Sequence, residues 1–208
     1  MGIVERKLRE KKARIRQIRK SALYLFEKKG FQRTTMEEIA ARAEISKKTI
    51  YLYFRSKEDL FYDLVQERFT NFKKDLIKIC ETEIEPEKAI RSIFERMFNW
   101  YIENPEIYHF VTRFRANEMS KRLSPEKVGH LQDLMRSNMK CLAMVIKSGI
   151  EQGKFESRDP DRESVLFWNM FMGIILFQEN RLDAGKKDFR KSTVDDGVDR
   201  LLRALRKV

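Results

Sequence analysis

Hydrophobic residues recur every three or four positions along most of this 208-residue chain, which is the spacing of amphipathic helices. The first such pattern covers residues 5–29, where Ile18, Ala22 and Phe26 share one side and Gly30 ends the stretch. Only four proline and eight glycine residues interrupt the chain, so long segments are free of helix breakers. The pattern predicts an all-α protein of about nine helices.

Capping residues and prolines mark where the remaining predicted helices begin. Thr35 and Glu38 have capping-box spacing at the start of the second helix, as do Thr34 and Glu37 one residue earlier. Polar caps and helix-opening prolines then predict the third to eighth helices at Ser46, Ser56, Pro86, Pro105, Pro125 and Pro160, the seventh ending at Gly153. The ninth helix is expected over residues 194–205.

The third predicted helix has two chemically different sides. Ile50 and Phe54, four residues apart, would point into a core, while Lys47, Lys48 and Thr49 would lie on the outside at its front end. Tyr51 is either a further outer residue or a partly buried packing residue. Lysine can donate to guanine, and a threonine methyl or a tyrosine ring can pack on a thymine methyl. Such a division is typical of the recognition helix of a helix-turn-helix.

Basic charge is concentrated at the front of the chain. Residues 1–60 hold seventeen Lys and Arg against eight Asp and Glu, whereas residues 61–208 hold twenty-seven against twenty-four. This asymmetry favours a module that binds a polyanion, and the alternative is a solvated basic face that only aids solubility. We therefore expect a DNA-binding domain over residues 1–60, with residues 1–12 as a frayed or flexible basic arm, and a second helical domain over residues 61–208.

The front of the chain resembles the N-terminal domain of TetR-family transcriptional regulators over about residues 12–62. The matching motifs are Phe26-x-x-x-Gly30-Phe31, Thr34-Thr35-x-x-Glu38-Ile39-Ala40, Ser46-x-x-Thr49-Ile50-Tyr51-x-Tyr53-Phe54 and Lys57-x-x-Leu60. The resemblance implies phosphate contacts from Thr34, Ser46, Tyr53 and Lys57, and groove contacts from Lys47, Lys48, Thr49 and Tyr51. The hydroxyl of Thr35 is an alternative phosphate donor at the same helix start. Glu44 departs from the family, which usually has glycine at this turn position. A non-glycine residue with positive φ is uncommon and strained, so the sequence leaves the geometry of this turn open.

The eighth predicted helix is apolar on all sides from Val165 to Phe177, apart from Asn169. A helix of this kind in a chain of this size favours coverage by a second subunit. The family resemblance also implies a homodimer on a pseudo-palindromic operator, and a C-terminal domain whose ligand lowers the affinity for DNA. We expect the eighth and ninth helices to form the dimer interface through Trp168, Met172, Ile175, Leu176, Leu201 and Leu205.

A hydrophobic effector site is expected in the second domain, because its helices are rich in Phe and Met. A long or fatty acyl-like molecule is the favoured effector, and aromatic or cationic drugs are the alternative. The alternative, which is the commoner one for any single candidate residue, is that it belongs to an ordinary core. The candidates are Phe94, Phe98, Trp100, Tyr101, Tyr108, Phe110, Phe114, Met139, Phe167 and Phe171.

Other classes of function have little support in the sequence. There is no Gly-rich phosphate loop, GxSxG, HExxH or cluster of Cys and His, so we predict no enzyme, cofactor or metal site. His109 and His130 are solitary, and Cys80 and Cys141 look like separate core residues of a reducing compartment. A repressor in the cytoplasm, acting by occupying a promoter, is expected. The alternative of a membrane-surface protein rests on the basic first helix, whose apolar stripe is narrow and lacks Trp.

Overall fold

The computed structural model describes residues 2–112, 121–183 and 187–207, except for the side chains of Ile3 and of residues 110–112 and 180–183. Within these residues the chain forms nine α-helices, and the one β feature is an isolated bridge between Phe155 and Arg206. The all-α prediction is therefore confirmed. The helices are α1 (Ile3–Arg33), α2 (Met36–Arg42), α3 (Lys47–Tyr51), α4 (Lys57–Thr82), α5 (Pro86–Glu103), α6 (Pro105–Thr112), α7 (Pro125–Glu151), α8 (Pro160–Asp183) and α9 (Arg190–Leu205).

The predicted helix ends are formed by local hydrogen bonds. The Ser56 hydroxyl accepts from the backbone N–H of Asp59 at 3.1 Å, and the Asp159 carboxylate accepts from that of Asp161 at 3.0 Å. Helix α7 ends at Glu151, and Gly153 follows two residues later as the expected stop, with φ 71°. Such a backbone lets the last carbonyls of the helix accept bonds from the following residues.

Two helices are longer than the sequence predicted. Helix α1 begins at Ile3, where the backbone N–H of Gly2 donates to Glu5 at 3.2 Å, so the expected frayed arm is helical. Gly30 still interrupts it, with φ 79° and ψ 158°, and only one short turn follows. Helix α9 begins at Arg190 because the Asp188 carboxylate accepts from the Arg190 backbone N–H at 2.9 Å.

The described residues pack into two compact units. The first comprises Met1–Arg68 with Asn104–His130, and the second comprises Phe69–Glu103 with Leu131–Val208. The first unit thus contains the segment expected as a DNA-binding domain, together with residues 61–68, helix α6 and the start of α7. Its core includes a cluster of three rings, Phe26, Phe31 and Phe61, whose centroids are 5.1–5.5 Å apart.

The second unit has its own aromatic core. The Phe94 ring of α5 lies 5.6 Å from Phe167 and 6.1 Å from Phe171 of α8. Helix α9 packs closely on α8 because Gly197 has no side chain, and a Cβ there would lie 2.5 Å from the sulfur of Met170. These contacts hold α5, α8 and α9 together around one apolar centre. None of the helices in the described ranges is both long and apolar enough to cross a membrane.

The two cysteines, expected to be separate, lie together between α4 and α7. The Cys80 thiol donates to the Cys141 backbone carbonyl at 3.8 Å, and the Cys141 thiol donates to the Ser137 carbonyl at 3.9 Å. The bond from Cys80, with a smaller effect from Lys73, lowers the pKa of Cys141 to about 7, whereas the pKa of Cys80 is raised. Both thiols are free, and no cluster of three metal-ligating side chains occurs among the described residues.

Candidate DNA-binding site

Helix α2 begins with the predicted capping box. The Thr35 hydroxyl accepts from the Glu38 backbone N–H at 3.2 Å, and the Glu38 carboxylate accepts from the Thr35 backbone N–H at 2.9 Å. Lys29 of α1 also binds this carboxylate. The hydrogen bond from Lys29, followed by those from Thr35, lowers the pKa of Glu38 to about 2. This network fixes α2 against the end of α1 and leaves Thr35 at the protein surface.

The turn between α2 and α3 has the geometry of a Schellman motif. The Ile45 N–H donates to the Ala40 carbonyl at 3.0 Å, and the Glu44 N–H donates to the Ala41 carbonyl at 3.1 Å. Glu44 has φ 50°, so this non-glycine residue adopts the left-handed backbone where the family usually has glycine. From α1, the Gln17 side chain donates to the Ala43 carbonyl at 2.8 Å and holds the turn in place.

Helix α3 presents the two sides that its sequence predicted. The Ser46 hydroxyl caps the helix by accepting from the Thr49 N–H at 3.0 Å. Ile50 is fully buried and Phe54 is 8% exposed, so both belong to the core of the first unit. Tyr51 is 42% exposed, so part of its side chain is accessible on the outer side of α3 and part is covered by the protein.

Both lysines at the front of α3 are exposed. Lys47 forms an ion pair of 2.5 Å with Glu37 of α2, and this contact raises the pKa of Lys47 and lowers that of Glu37. Lys48, which lies beside it, forms no ion pair with the residues that the structure describes. Leu52, 76% exposed, adds an apolar group at the end of α3. Hydrophobic spacing did not predict this exposure, because a leucine in a helical pattern is ordinarily assigned to the core.

Thr34 is placed differently from the family expectation. This residue is 1% exposed, and its hydroxyl donates to the Gly30 carbonyl at 2.9 Å inside the first unit. The proposed phosphate contact of its side chain is therefore wrong for this structure. A buried hydroxyl that already serves a free carbonyl of α1 cannot also face a DNA backbone.

Lys57 is also occupied within the protein. Its ammonium donates to the carbonyls of Phe31, Gln32 and Thr34 at 2.8, 3.2 and 2.7 Å. An ammonium group has three hydrogens, so all of them are used by the end of α1. Burial lowers the pKa of Lys57. The expected phosphate contact is corrected to a structural one, which joins the start of α4 to the end of α1.

Tyr53, the remaining expected phosphate contact, is half-buried beside the start of α4. It lines a surface cavity of 420 Å³ together with Arg55, Tyr62 and Lys127. The Arg55 side chain is exposed, and nothing in the periodic pattern distinguished it from other surface residues.

The candidate effector residues fall into three groups. Phe94, Tyr101, Phe167 and Phe171 are at most 3% exposed in the second unit, where Phe98 and Met139 are half-buried. Tyr108 is buried in the first unit and is thus grouped with α1, not with the other candidates. The side chain of Phe110 and all of Phe114 lie outside the described residues.

Tyr101 is held by polar contacts at the edge of this aromatic group. Its hydroxyl donates to the Glu179 carboxylate at 2.5 Å and accepts from Arg190. Burial, and then the bond to Glu179, raise the pKa of Tyr101. Trp100 packs elsewhere, 5.4 Å from Phe72 of α4.

The expected interface residues of α8 and α9 divide between core and surface. Ile175 and Leu205 are at most 1% exposed because they pack within their own chain, so their assignment to a dimer interface is wrong. Trp168, Met172 and Leu201 are half-buried, and Leu176 is 45% exposed. The exposed apolar surface of α8 includes three residues that the sequence analysis did not select, Val165, Leu166 and Phe177.

Comparison with known proteins agrees with this architecture. Residues 18–64 match the family described as bacterial regulatory proteins, tetR family. The HTH-type transcriptional repressor NicS of Pseudomonas putida is 29% identical over 138 residues, which are 66% of this chain and 64% of NicS. The fatty acid metabolism regulator protein of Bacillus subtilis is 19% identical over 149 residues, 72% of this chain and 74% of that protein. The structure of the TetR-family regulator PfmR from Thermus thermophilus has a TM-score of 0.70 and 25% identity, covering 91% of this chain and 99% of PfmR.

Residues 18–64 therefore form a DNA-binding domain of the TetR family, as the N-terminal motifs predicted, and the chain shares the fold of a TetR-family regulator over most of its length. Members of this family are DNA-binding transcription factors and not enzymes. TetR-family repressors bind DNA operators and typically act as homodimers. The chain spans just under two thirds of the length of NicS, so the match to NicS covers only part of that protein.

Proposed function

We propose that this protein is a transcriptional repressor that binds a pseudo-palindromic operator as a homodimer and is released by a hydrophobic small molecule. The observation that carries the proposal is the outer surface of α3. Two lysines, a threonine and an exposed tyrosine lie there on a helix whose other side is anchored in the core. A rigid helix with this division has the chemistry needed to enter a major groove.

Two roles are proposed for the residues around α3. Lys47, Lys48, Thr49 and Tyr51 contact base edges, with Lys48 the best placed because Glu37 holds Lys47 in the free protein. Phosphate contacts come from the second group, which comprises Thr35, Ser46 and Tyr53. Thr34 is excluded because its side chain is buried, and Lys57 because all three of its hydrogens bind carbonyls of the chain. Thr35 is retained because it lies at the surface, where its hydroxyl could exchange the Glu38 carboxylate, 3.0 Å away, for a phosphate.

The operator is the first testable consequence. Selection of duplexes from a random pool by the full-length protein should yield an inverted repeat with half-sites about one helical turn apart. Lys48→Ala should lower affinity for that operator by about 1–3 kcal/mol and relax the preference at one base pair in each half-site. Lys74→Ala, at an exposed position of the second unit, is the matched control and should change neither. Selection of no repeat by the wild-type protein would refute the proposed DNA function.

Dimerisation is proposed through the exposed apolar surface of α8. Val165, Leu166, Leu176 and Phe177 are 42–63% exposed, which is unusual for four large apolar side chains of one helix. Gly173 lies on the exposed part of α8, and a Cβ there would meet no atom within 4 Å, so a second helix could approach closely. Light scattering at micromolar concentration should give twice the 25.0 kDa mass of one chain, and a monomeric mass would contradict the interface.

The second unit is proposed to bind the effector, with a fatty acyl-like molecule as the favoured class. The apolar cluster of Phe94, Phe167 and Phe171 supports an apolar site, as does the likeness to a fatty acid metabolism regulator. Asn138 adds a polar group on the inner side of α7: it is 2% exposed, and its amide finds no hydrogen-bond partner among the described residues. A buried amide is stabilised by a polar partner, such as an effector head group.

Release from DNA is proposed to follow a population shift between two arrangements of the dimer. A ligand that favours one conformation of the second unit would change the spacing of the two α3 helices from the roughly 34–36 Å that successive major grooves require. Fluorescence anisotropy of a labelled operator should fall when palmitoyl-CoA is added. Release by a cationic aromatic dye, but not by palmitoyl-CoA, would favour the alternative class of effector.

A further inference from the structure

The first ten described side chains of α1 lie outside the hydrophobic core of the first unit. Every residue from Val4 to Ala13 is exposed, and burial begins only at Arg14. We call residues 4–13 the N-terminal arm. Because the N-terminal arm places no side chain in the core, its residue types indicate which kind of partner it could bind.

The arm is strongly basic, and its two acidic side chains are already engaged. Glu5 accepts from the backbone of Gly2, and Glu10 forms a 3.6 Å ion pair with Arg6. The remaining basic residues are Lys7, Arg9, Lys11 and Lys12. No ion pair of the three lysines occurs within the described part of the chain. Lys7, Lys11 and Lys12 therefore present a cluster of positive charge to solvent.

The position of the arm within the first unit links it to the recognition helix. Gln17 donates to the carbonyl of Ala43, next to the turn that leads into α3, and Arg14 donates to the Gln17 side chain at 2.9 Å. Helix α1 therefore passes this turn at residue 17 and projects beyond it toward its N-terminus. From Arg14 to Val4 a helix extends about 15 Å, which is more than the width of a major groove.

We infer that the N-terminal arm is a second DNA-contacting element, which binds phosphates outside the base pairs read by α3. This inference rests on the proposed DNA-binding function and adds a contact surface that the helix-turn-helix lacks. Each lysine that meets a phosphate releases counterions, so the contribution of the arm depends on salt and not on sequence. Two competing partners fit less well. Val4 and Leu8 are the only exposed large apolar side chains of the arm, too few for a membrane-bound helix or a helical pairing with a second copy.

The test compares two charge-matched variants of the full-length protein with the wild type. The arm variant carries Lys7→Gln, Arg9→Gln, Lys11→Gln and Lys12→Gln. The control variant removes the same charge from exposed lysines of the second unit, by Lys74→Gln, Lys78→Gln, Lys140→Gln and Lys147→Gln. Glutamine has nearly the helix propensity of lysine and arginine, so circular dichroism should show unchanged helix content in both variants.

Binding to a duplex containing the selected operator, with flanks of about one helical turn on each side, is measured between about 50 and 200 mM salt. If each arm meets two phosphates, the slope of log affinity against log salt should become shallower by about 3 to 4 in the arm variant of a dimer. Raising the salt concentration from about 50 to 200 mM would then weaken DNA binding by the wild type about 100-fold more than it weakens binding by the arm variant. The control slope should change by less than about 1.

Hydroxyl-radical footprinting adds a positional readout, because protection of the outer phosphates should disappear only in the arm variant. Equal slopes and equal footprints for the arm and control variants would overturn the inference while leaving operator binding intact. No binding by the wild-type protein would instead refute the proposed function itself. The inference would also be overturned if the wild type, but not the arm variant, sediments with phosphatidylglycerol vesicles while both proteins show the same salt dependence of DNA binding. That result would assign the arm to a membrane surface.

Discussion

Replacing Glu44 by glycine should stabilise the protein, because Glu44 is a non-glycine residue held at φ 50° in the turn between α2 and α3. Its side chain is exposed and forms no hydrogen bond or ion pair with the described residues, so little is lost with it. The backbone bond from residue 44 to the Ala41 carbonyl is retained, since glycine keeps its N–H. Only the steric conflict of the Cβ in the left-handed region is removed.

The expected gain is a difference between two opposing effects. A side chain in the left-handed region costs about 1–2 kcal/mol, whereas the extra freedom of glycine in the unfolded chain costs about 0.5–1 kcal/mol. Glu44→Gly should therefore raise the free energy of unfolding by about 0.5–1 kcal/mol. For a chain of this size, each kcal/mol corresponds to about 2–4 °C in the midpoint of thermal unfolding.

Glu44→Ala is the matched control, because it removes the same carboxylate and keeps the Cβ. Both variants take a negative charge from beside α3, so a gain in DNA affinity that they share would be electrostatic. The gain in stability should belong to Glu44→Gly alone, measured by urea and thermal denaturation at fixed protein concentration. The reasoning from backbone strain fails if the glycine variant is no more stable than the alanine variant.

Two further changes test the packing of α7 and the cap of α2. In Gly149→Ala the new Cβ would lie 2.2 Å from the buried Phe155 ring, so unfolding free energy should fall by about 1–3 kcal/mol. In Gly129→Ala, on the same helix, the new Cβ meets no atom within 4 Å, so this control should raise the free energy of unfolding by up to about 1 kcal/mol. Equal losses of stability in both variants would contradict the close contact between Gly149 and Phe155. The lowered pKa of Glu38, about 2 against 4.5 for a free side chain, predicts a stabilisation that is present above pH 4.5 and is lost as the pH falls toward 2. In urea titrations, the difference in unfolding free energy between the wild type and Glu38→Gln should therefore shrink as the pH falls from 4.5 toward 2. A difference that does not change with pH would show that the ionised Glu38 carboxylate does not stabilise the fold.

Most helix boundaries could be predicted from the sequence because they depend on neighbouring residues only. Apolar spacing and side-chain caps such as Ser56 and Asp159 act over three or four positions, and prolines fix the first turns of α5 to α8. The two sides of α3 could be predicted for the same reason, whereas the sequence left the backbone conformation at Glu44 open. The starts of α1 and α9 were missed, since they depend on weak caps next to highly charged segments.

The sequence by itself determined which segments are helical, which residues could face DNA and that the chain resembles TetR-family regulators. Only the tertiary structure decided which hydrogen-bond donors are already occupied within the protein. Thr34 and Lys57 have donors suited to phosphates, but these donors bind backbone carbonyls at the end of α1. It also decided which side of the uniformly apolar α8 is buried, because periodicity gives no direction to a helix without a polar face. Ile175 thus lies in the core while Phe177 remains exposed. These outcomes depend on contacts between segments that are distant in the sequence, and the spacing of residues within one helix does not contain that information.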